Sequence, residues 1–225
     1  MDPQPFEGNP VIHFEDESHR RGFLKYAVLV GVGATLAAAC GNNSSSTTTS
    51  KAKATAAPSA APANPFGEGD VGVLNYALTL EYLEADFYAK GVAGNILGDD
   101  QKYIVPIAQH EAAHVQALLA TLAKLNATPA KKPTFKYPDG TFTDKAKFLG
   151  TASIFEETGV KAYHGQITVI KDKAILGAAA SIAGVESRHA AILADLLGQK
   201  QVPAPVEAHA SISEIVAAVT PFLGS

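Results

Sequence analysis

Four stretches of this chain repeat apolar residues at helical spacing, and each sets a glutamate in the middle of its apolar stripe. At about 100° per residue, positions three and four apart share one helix face. The first stretch (about 70–90) carries Leu74, Leu78, Ala85 and Tyr88, with Glu81 among them. The second (about 100–125) arranges Ile104, Ile107, Val115, Leu118 and Leu122 around Glu111. The third (about 144–170) places Leu149, Ala152, Val160, Tyr163 and Ile167 around Glu156, and the fourth (about 173–198) Ala179, Ile182, Ala190, Leu193 and Leu197 around Glu186. A surface helix keeps carboxylates off its buried face. Four unpartnered buried carboxylates would each cost several kcal/mol or take up a proton. For any single one, a carboxylate at the core's edge reaching solvent is the simpler account; for all four in phase it is the weaker one.

Two of these glutamates open the same motif, Glu111-Ala-Ala-His114 and Glu186-Ser-Arg-His189. Random placement would give roughly 0.4 such pairs in a chain of this composition, so the count alone is little above chance. The phase adds the weight, because His114 and His189 flank their glutamates on the same apolar faces. Glu-x-x-His on two helices, with one further Glu from each of two others, is the ligand pattern of a two-metal site in a bundle core. Two divalent cations would balance four carboxylates. The six donors are Glu81, Glu111, His114, Glu156, Glu186 and His189, which leaves positions for water, oxygen or peroxide. Such a hard-to-borderline set suits iron or manganese better than copper(I).

The connections predict an all-α bundle. The first two helices are joined by a short link around Gly91–Asp99, and the last two by a shorter one. The middle connection, Asn126 to Thr143, is long and rich in Pro, Lys and Gly, as a crossover along the bundle would be. Pro106 is expected to restart or kink the second helix. Asp172 is a candidate N-cap and Gly198 a candidate stop for the fourth. A short C-terminal helix fits Ser211 to Phe222, with Ser211-x-x-Glu214 as a capping box. No strand pattern is evident.

The N-terminus reads as an address. Residues 18–25, Ser-His-Arg-Arg-Gly-Phe-Leu-Lys, resemble a twin-arginine export signal. The apolar stretch from Tyr26 to Ala39 is too short to span a bilayer comfortably and suits a signal segment. It ends Leu36-Ala-Ala-Ala-Cys40-Gly41, which resembles a lipobox with Leu36 one place early; Cys40 would then be lipidated. The alternative is ordinary cleavage after Ala39. A Ser/Thr/Ala/Pro-rich tether follows. The expected organisation is a signal over 1–40, a tether over 41–65 and a helical bundle over 66–225. A net charge of −4 does not suggest a nucleic-acid binder, and one cysteine excludes an intrachain disulfide framework.

Four stretches together resemble the ferritin-like superfamily, and more narrowly bacterial ferritin-like proteins related to desiccation-associated proteins. They are Leu74-Asn-Tyr-Ala-Leu-Thr-Leu-Glu-Tyr-Leu-Glu84, His110-Glu-Ala-Ala-His-Val115, Phe155-Glu-Glu-Thr-Gly-Val-Lys-Ala-Tyr163 and Val185-Glu-Ser-Arg-His-Ala190. The resemblance spans about residues 66–223. It implies a ferritin-like four-helix bundle with one long crossover, and two iron or manganese ions held by the six donors named above. It also implies that Tyr88 and Tyr163, each seven residues after a glutamate, stand beside the site with a redox or supporting role; as core aromatics they would be equally well explained. Glu84 and Glu157 are further ligand candidates, Glu84 near the site face and Glu157 aside from it. Relatives oxidise ferrous iron, reduce or disproportionate peroxide, or store iron.

The resemblance does not fix one reaction; taken with the N-terminal signal and tether, the leading expectation is an exported, lipid-anchored di-iron or di-manganese oxidoreductase acting on oxygen, peroxide or ferrous iron, as a monomer or small homo-oligomer in the periplasm or cell envelope. An alternative is a non-enzymatic envelope stress protein in which metal only holds the bundle together. His110-Glu111-Ala-Ala-His114 also matches the zinc-protease signature, with His110 and His114 as ligands. That reading leaves Glu81, Glu156 and the second Glu-x-x-His unexplained, so His110 is better placed on the helix surface or behind the ligands. A closed storage cage fits poorly with a lipid anchor and a long tether.

Overall fold

A computed structural model of the protein describes residues 64–224. The expected export signal, Cys40 and all but the last two positions of the tether lie outside the described residues. Five helices follow in order: α1 (Gly69–Ala93), α2 (Gln101–Lys124), α3 (Lys145–Gln166), α4 (Lys173–Leu196) and α5 (Ile212–Val219). The only β pairing among the described residues is one isolated bridge between Phe135 and Leu223. The all-α, four-helix arrangement with a short C-terminal helix is as the apolar periodicity implies. No helix among the described residues is long and apolar enough to cross a membrane.

Local chemistry sets the helix ends. The Asp172 carboxylate accepts the N–H groups of Ala174 and Ile175, and that of Asp144 accepts Lys147 N–H. Ser211 and Glu214 form a capping box at the start of α5. Gly198, in the left-handed region, turns the chain out of α4. Two expectations need correction. Helix α2 begins five residues before Pro106 and runs through it. Standing in the second turn, Pro106 forfeits only the bond to the Lys102 carbonyl, so it does not restart the helix. Helix α3 ends at Gln166 rather than near residue 170. Its follow-on segment is captured by α1: Asp70 accepts the N–H groups of Lys171 and Asp172 at 2.9 and 2.8 Å.

The long connection between α2 and α3 lies along α1. Near the start of α1, Asn75 accepts Ala130 N–H at 2.8 Å and donates to the Thr128 carbonyl at 3.3 Å. Further along, Asp86 accepts from Lys132 and from the Tyr137 hydroxyl. The connection thus travels the length of α1 and delivers the start of α3 to its far end, where Phe148 stacks on Phe87 at 4.7 Å between ring centroids. The main pairings are α1 with α2 and α3 with α4, closed by α1–α3 and α2–α4 contacts.

Two apolar clusters fill the interior. One gathers Phe87, Ile104, Phe148, Phe155 and Leu193 with α5; the other gathers Leu74, Leu78, Leu118, Leu122 and Ile175. Along α2 and α4 the Glu-x-x-His pairs fall between these clusters, so the polar band lies between two apolar layers.

Candidate metal centre

All six predicted donors point into one band of the bundle. Glu81 comes from α1, Glu111 and His114 from α2, Glu156 from α3, and Glu186 and His189 from α4. The four glutamates are 0% exposed. Their donor atoms form two groups, each with all atoms within 4.8 Å of one another: Glu81, Glu111, His114 and Glu186, then Glu111, Glu156, Glu186 and His189. Glu111 and Glu186 belong to both, so they occupy the middle. His114 Nδ1 lies 3.3 Å from Glu81 Oε2, 3.3 Å from Glu111 Oε2 and 3.1 Å from Glu186 Oε1. His189 Nδ1 lies 3.0 Å from Glu111 Oε1 and 3.3 Å from Glu156 Oε2.

These atoms fit cations better than they fit one another. Glu81 Oε2, Glu111 Oε1, Glu156 Oε2, both Glu186 oxygens and His189 Nδ1 are buried, yet none has a hydrogen-bond partner of proper direction. Buried polar atoms are ordinarily satisfied. Six orphans converging on two foci, with oxygen and imidazole donors only, match what two divalent cations of the iron or manganese kind require.

The two tyrosines are cross-connected. Tyr88 on α1 donates to Glu156 Oε1 on α3 at 2.5 Å, and Tyr163 on α3 donates to Glu81 Oε1 on α1. Each therefore fixes the oxygen of its glutamate that faces away from the centre, leaving the other oxygen free for it. Burial, then the adjacent carboxylate, raises both phenols well above their ordinary range, so they remain donors. Both are core aromatics that also donate to the clustered carboxylates.

His110 does not take the ligand role a zinc protease would give it. It joins neither donor group; its Nδ1 sits 2.9 Å from His189 Nε2, with the rings stacked at 5.2 Å. For His189 Nδ1 to offer a lone pair to metal, His189 Nε2 must carry the proton and donate it to His110. Burial, then the His189 and His114 rings, pull the His110 pKa below its ordinary value, which keeps it a neutral acceptor. His110→Ala is expected to weaken metal affinity about 10- to 100-fold, read by competition with a chromophoric chelator, with helical circular dichroism unchanged.

The electrostatics are those of crowded buried acids. Burial, then the Glu111 carboxylate, pushes Glu81 up to about 7. Burial, then Glu186, raises Glu156 and Glu84 well above the carboxylate range. For the two histidines burial acts downward and loses. The close carboxylates of Glu111, Glu186 and Glu81 push His114 up to about 12, and those of Glu111 and Glu156 push His189 up to about 10.

Glu84 is a fifth buried acid of this band, 3% exposed. It stands outside both donor groups, opposite Gly159. A Cβ at Gly159 would lie 3.3 Å from Glu84 Oε1 and 3.1 Å from Glu186 Oε2, so the bare helix face makes room for both carboxylates. Glu157 points to the surface and pairs with Lys161. One signal in the sequence would have exposed this geometry. Glu81, Tyr88, Glu111 and His114 recur 75 positions later as Glu156, Tyr163, Glu186 and His189. The two helix pairs therefore carry equivalent donors, and they differ elsewhere, among other places at Glu84 against Gly159 and His110 against Val185.

The family model of the ferritin-like domain matches residues 69–199, which takes in α1 to α4 and every donor named above. No curated protein matches the chain.

Proposed function

The chain belongs to the ferritin-like domain family, and on that premise we propose that it holds two iron or manganese ions for redox chemistry on oxygen, peroxide or ferrous iron. The observation that carries this reading is the pair of four-residue donor groups sharing Glu111 and Glu186. Bound there, such ions would supply reversible one-electron changes at two neighbouring centres. The chain's own residues do the rest. Tyr88 and Tyr163 hold Glu156 and Glu81 in orientation and keep protons beside the site. His110 orients His189. The apolar clusters on either side exclude bulk water, which strengthens every charge interaction in the band.

The Arg20-Arg21 pair followed by Phe23-Leu24-Lys25 supports export by a twin-arginine route, with Cys40 as a lipid anchor holding the bundle at the cell envelope. In that setting the substrate is a small inorganic species, and oxidative or desiccation stress is the occasion for it.

Protein purified from its host is expected to carry about two iron or manganese ions per chain, and the loaded form to consume peroxide or oxidise ferrous iron. Fewer than about one ion, with no uptake on reconstitution, sinks the proposal. A structural role for the metal is the second reading, favoured by the orphaned carboxylates that a cation would neutralise. Glu156→Ala separates the two: lost turnover in a folded bundle indicates chemistry, whereas a lost fold indicates a structural metal.

A further inference from the structure

Beside the Glu81–His114 half of the centre, a cavity of ≈ 40 Å³ opens between α2 and α4. At about 10–15 Å³ per water-sized body it admits roughly three heavy atoms, with room for a tail toward its mouth. Each of the four helices lines it with an alanine: Ala77, Ala117, Ala162 and Ala179. Larger apolar residues, among them Leu74, Leu118, Ile175 and Ile182, complete its walls. Ala117 is exposed and marks the mouth.

The lining says what would enter. It contains no charged side chain, so an ion would shed its hydration without compensation. The hydroxyl of Tyr76 is buried in a residue 1% exposed and has no hydrogen-bond partner. Such a group costs stability unless an acceptor meets it. The other lining hydroxyls are engaged, Thr121 with the Ala117 carbonyl and Tyr163 with Glu81. Tyr163 is therefore a wall of the cavity and a holder of the metal centre at once.

We propose that this cavity binds a short, neutral alkyl molecule carrying one hydrogen-bond acceptor, of the alcohol or alkyl-hydroperoxide class, and that its arrival is felt at the metal centre through Tyr163. The second half rests on the metal reading above; the first half does not.

The test uses the full chain with 13C-labelled alanine methyls, titrated with n-butanol. Saturable shifts of the Ala77, Ala117 and Ala179 methyls at millimolar butanol are expected. Ala117→Leu and, separately, Ala162→Leu should each weaken binding about 10-fold or more by filling the space. Tyr76→Phe should weaken butanol about 5- to 10-fold, the worth of one hydrogen bond, and leave the response to xenon unchanged. In iron-loaded protein, saturating butanol should alter the metal's electronic spectrum, and Tyr163→Phe should remove that response while methyl shifts persist. Absent methyl shifts, shifts surviving both filling variants, or shifts that follow protein concentration instead of butanol overturn the cavity assignment. Failure to load iron sinks the metal reading and leaves the methyl titration to decide the cavity.

Discussion

Glu186→Ala, exposed to excess ferrous iron without oxygen and desalted, is expected to retain almost no metal, whereas Glu81→Ala retains about one ion per chain. The difference follows from sharing. Glu186 belongs to both donor groups, and each of its oxygens is buried without a partner. Its removal leaves both groups with three protein donors. Glu81 belongs to one group, so its loss leaves Glu111, Glu156, Glu186 and His189 intact. Glu111→Ala should behave like Glu186→Ala, and Glu156→Ala like Glu81→Ala. Losing a buried carboxylate relieves repulsion with its neighbours, so these variants should fold, as circular dichroism would check. The near-isosteric Glu186→Gln keeps the volume while removing the charge and should follow Glu186→Ala in direction. Elemental analysis reads the outcome. Equal metal loss in all four alanine variants would show that the two groups do not act as separate sites joined by shared ligands.

The periodicity that exposed these glutamates works because a helix repeats its faces every few residues. A carboxylate at the angular centre of an apolar stripe is visible without knowing what the stripe packs against. Caps at Asp172, Ser211 and Gly198 were legible for a related reason: each acts on backbone groups within a few residues. The features that stayed hidden act across the bundle. The end of α3 depends on Asp70, about a hundred positions upstream. The tyrosines lie seven residues after one glutamate but hold the other helix's glutamate. The sequence sets His110 on the helix surface or behind the ligands, but the partner it faces, His189, is fixed only across the bundle. Glu84 lies near the site face by angle, but its place depends on a missing side chain on another helix. The recurrence at 75 positions could have predicted the cross-pairing, because two equivalent halves facing each other must exchange contacts between equivalent residues. At that register Glu84 answers to Gly159, whose missing side chain leaves room for a fifth buried carboxylate beside the four donors.

Protein stripped of metal is expected to lose stability steadily as pH rises from about 5.5 to 9, with its melting midpoint falling by roughly 10 °C or more. The sign follows from which state holds protons more tightly. Glu81 is an acid whose folded pKa, about 7, lies above its ordinary 4.5. The folded state binds its proton preferentially, so the stabilising contribution is complete below about 4.5 and disappears as pH climbs through 7. Glu84 and Glu156, also raised, act in the same direction. The histidines are bases raised from 6.5, His189 to about 10 and His114 to about 12. Their contribution is complete below 6.5 and is lost as pH rises through those values. All five slopes point the same way, and a displacement of one pKa unit corresponds to about 1.4 kcal/mol. Cations compete with the protons for the same atoms, so metal affinity should rise with pH and the loaded protein should keep its midpoint across the range. Thermal unfolding followed by circular dichroism, with and without chelator, measures both curves. Glu84→Gln removes one of the raised acids without touching either donor group and should flatten the metal-free slope. A flat or rising midpoint in the metal-free wild type would mean that the buried acids are solvated in solution, and that the band between the two apolar clusters is open to water.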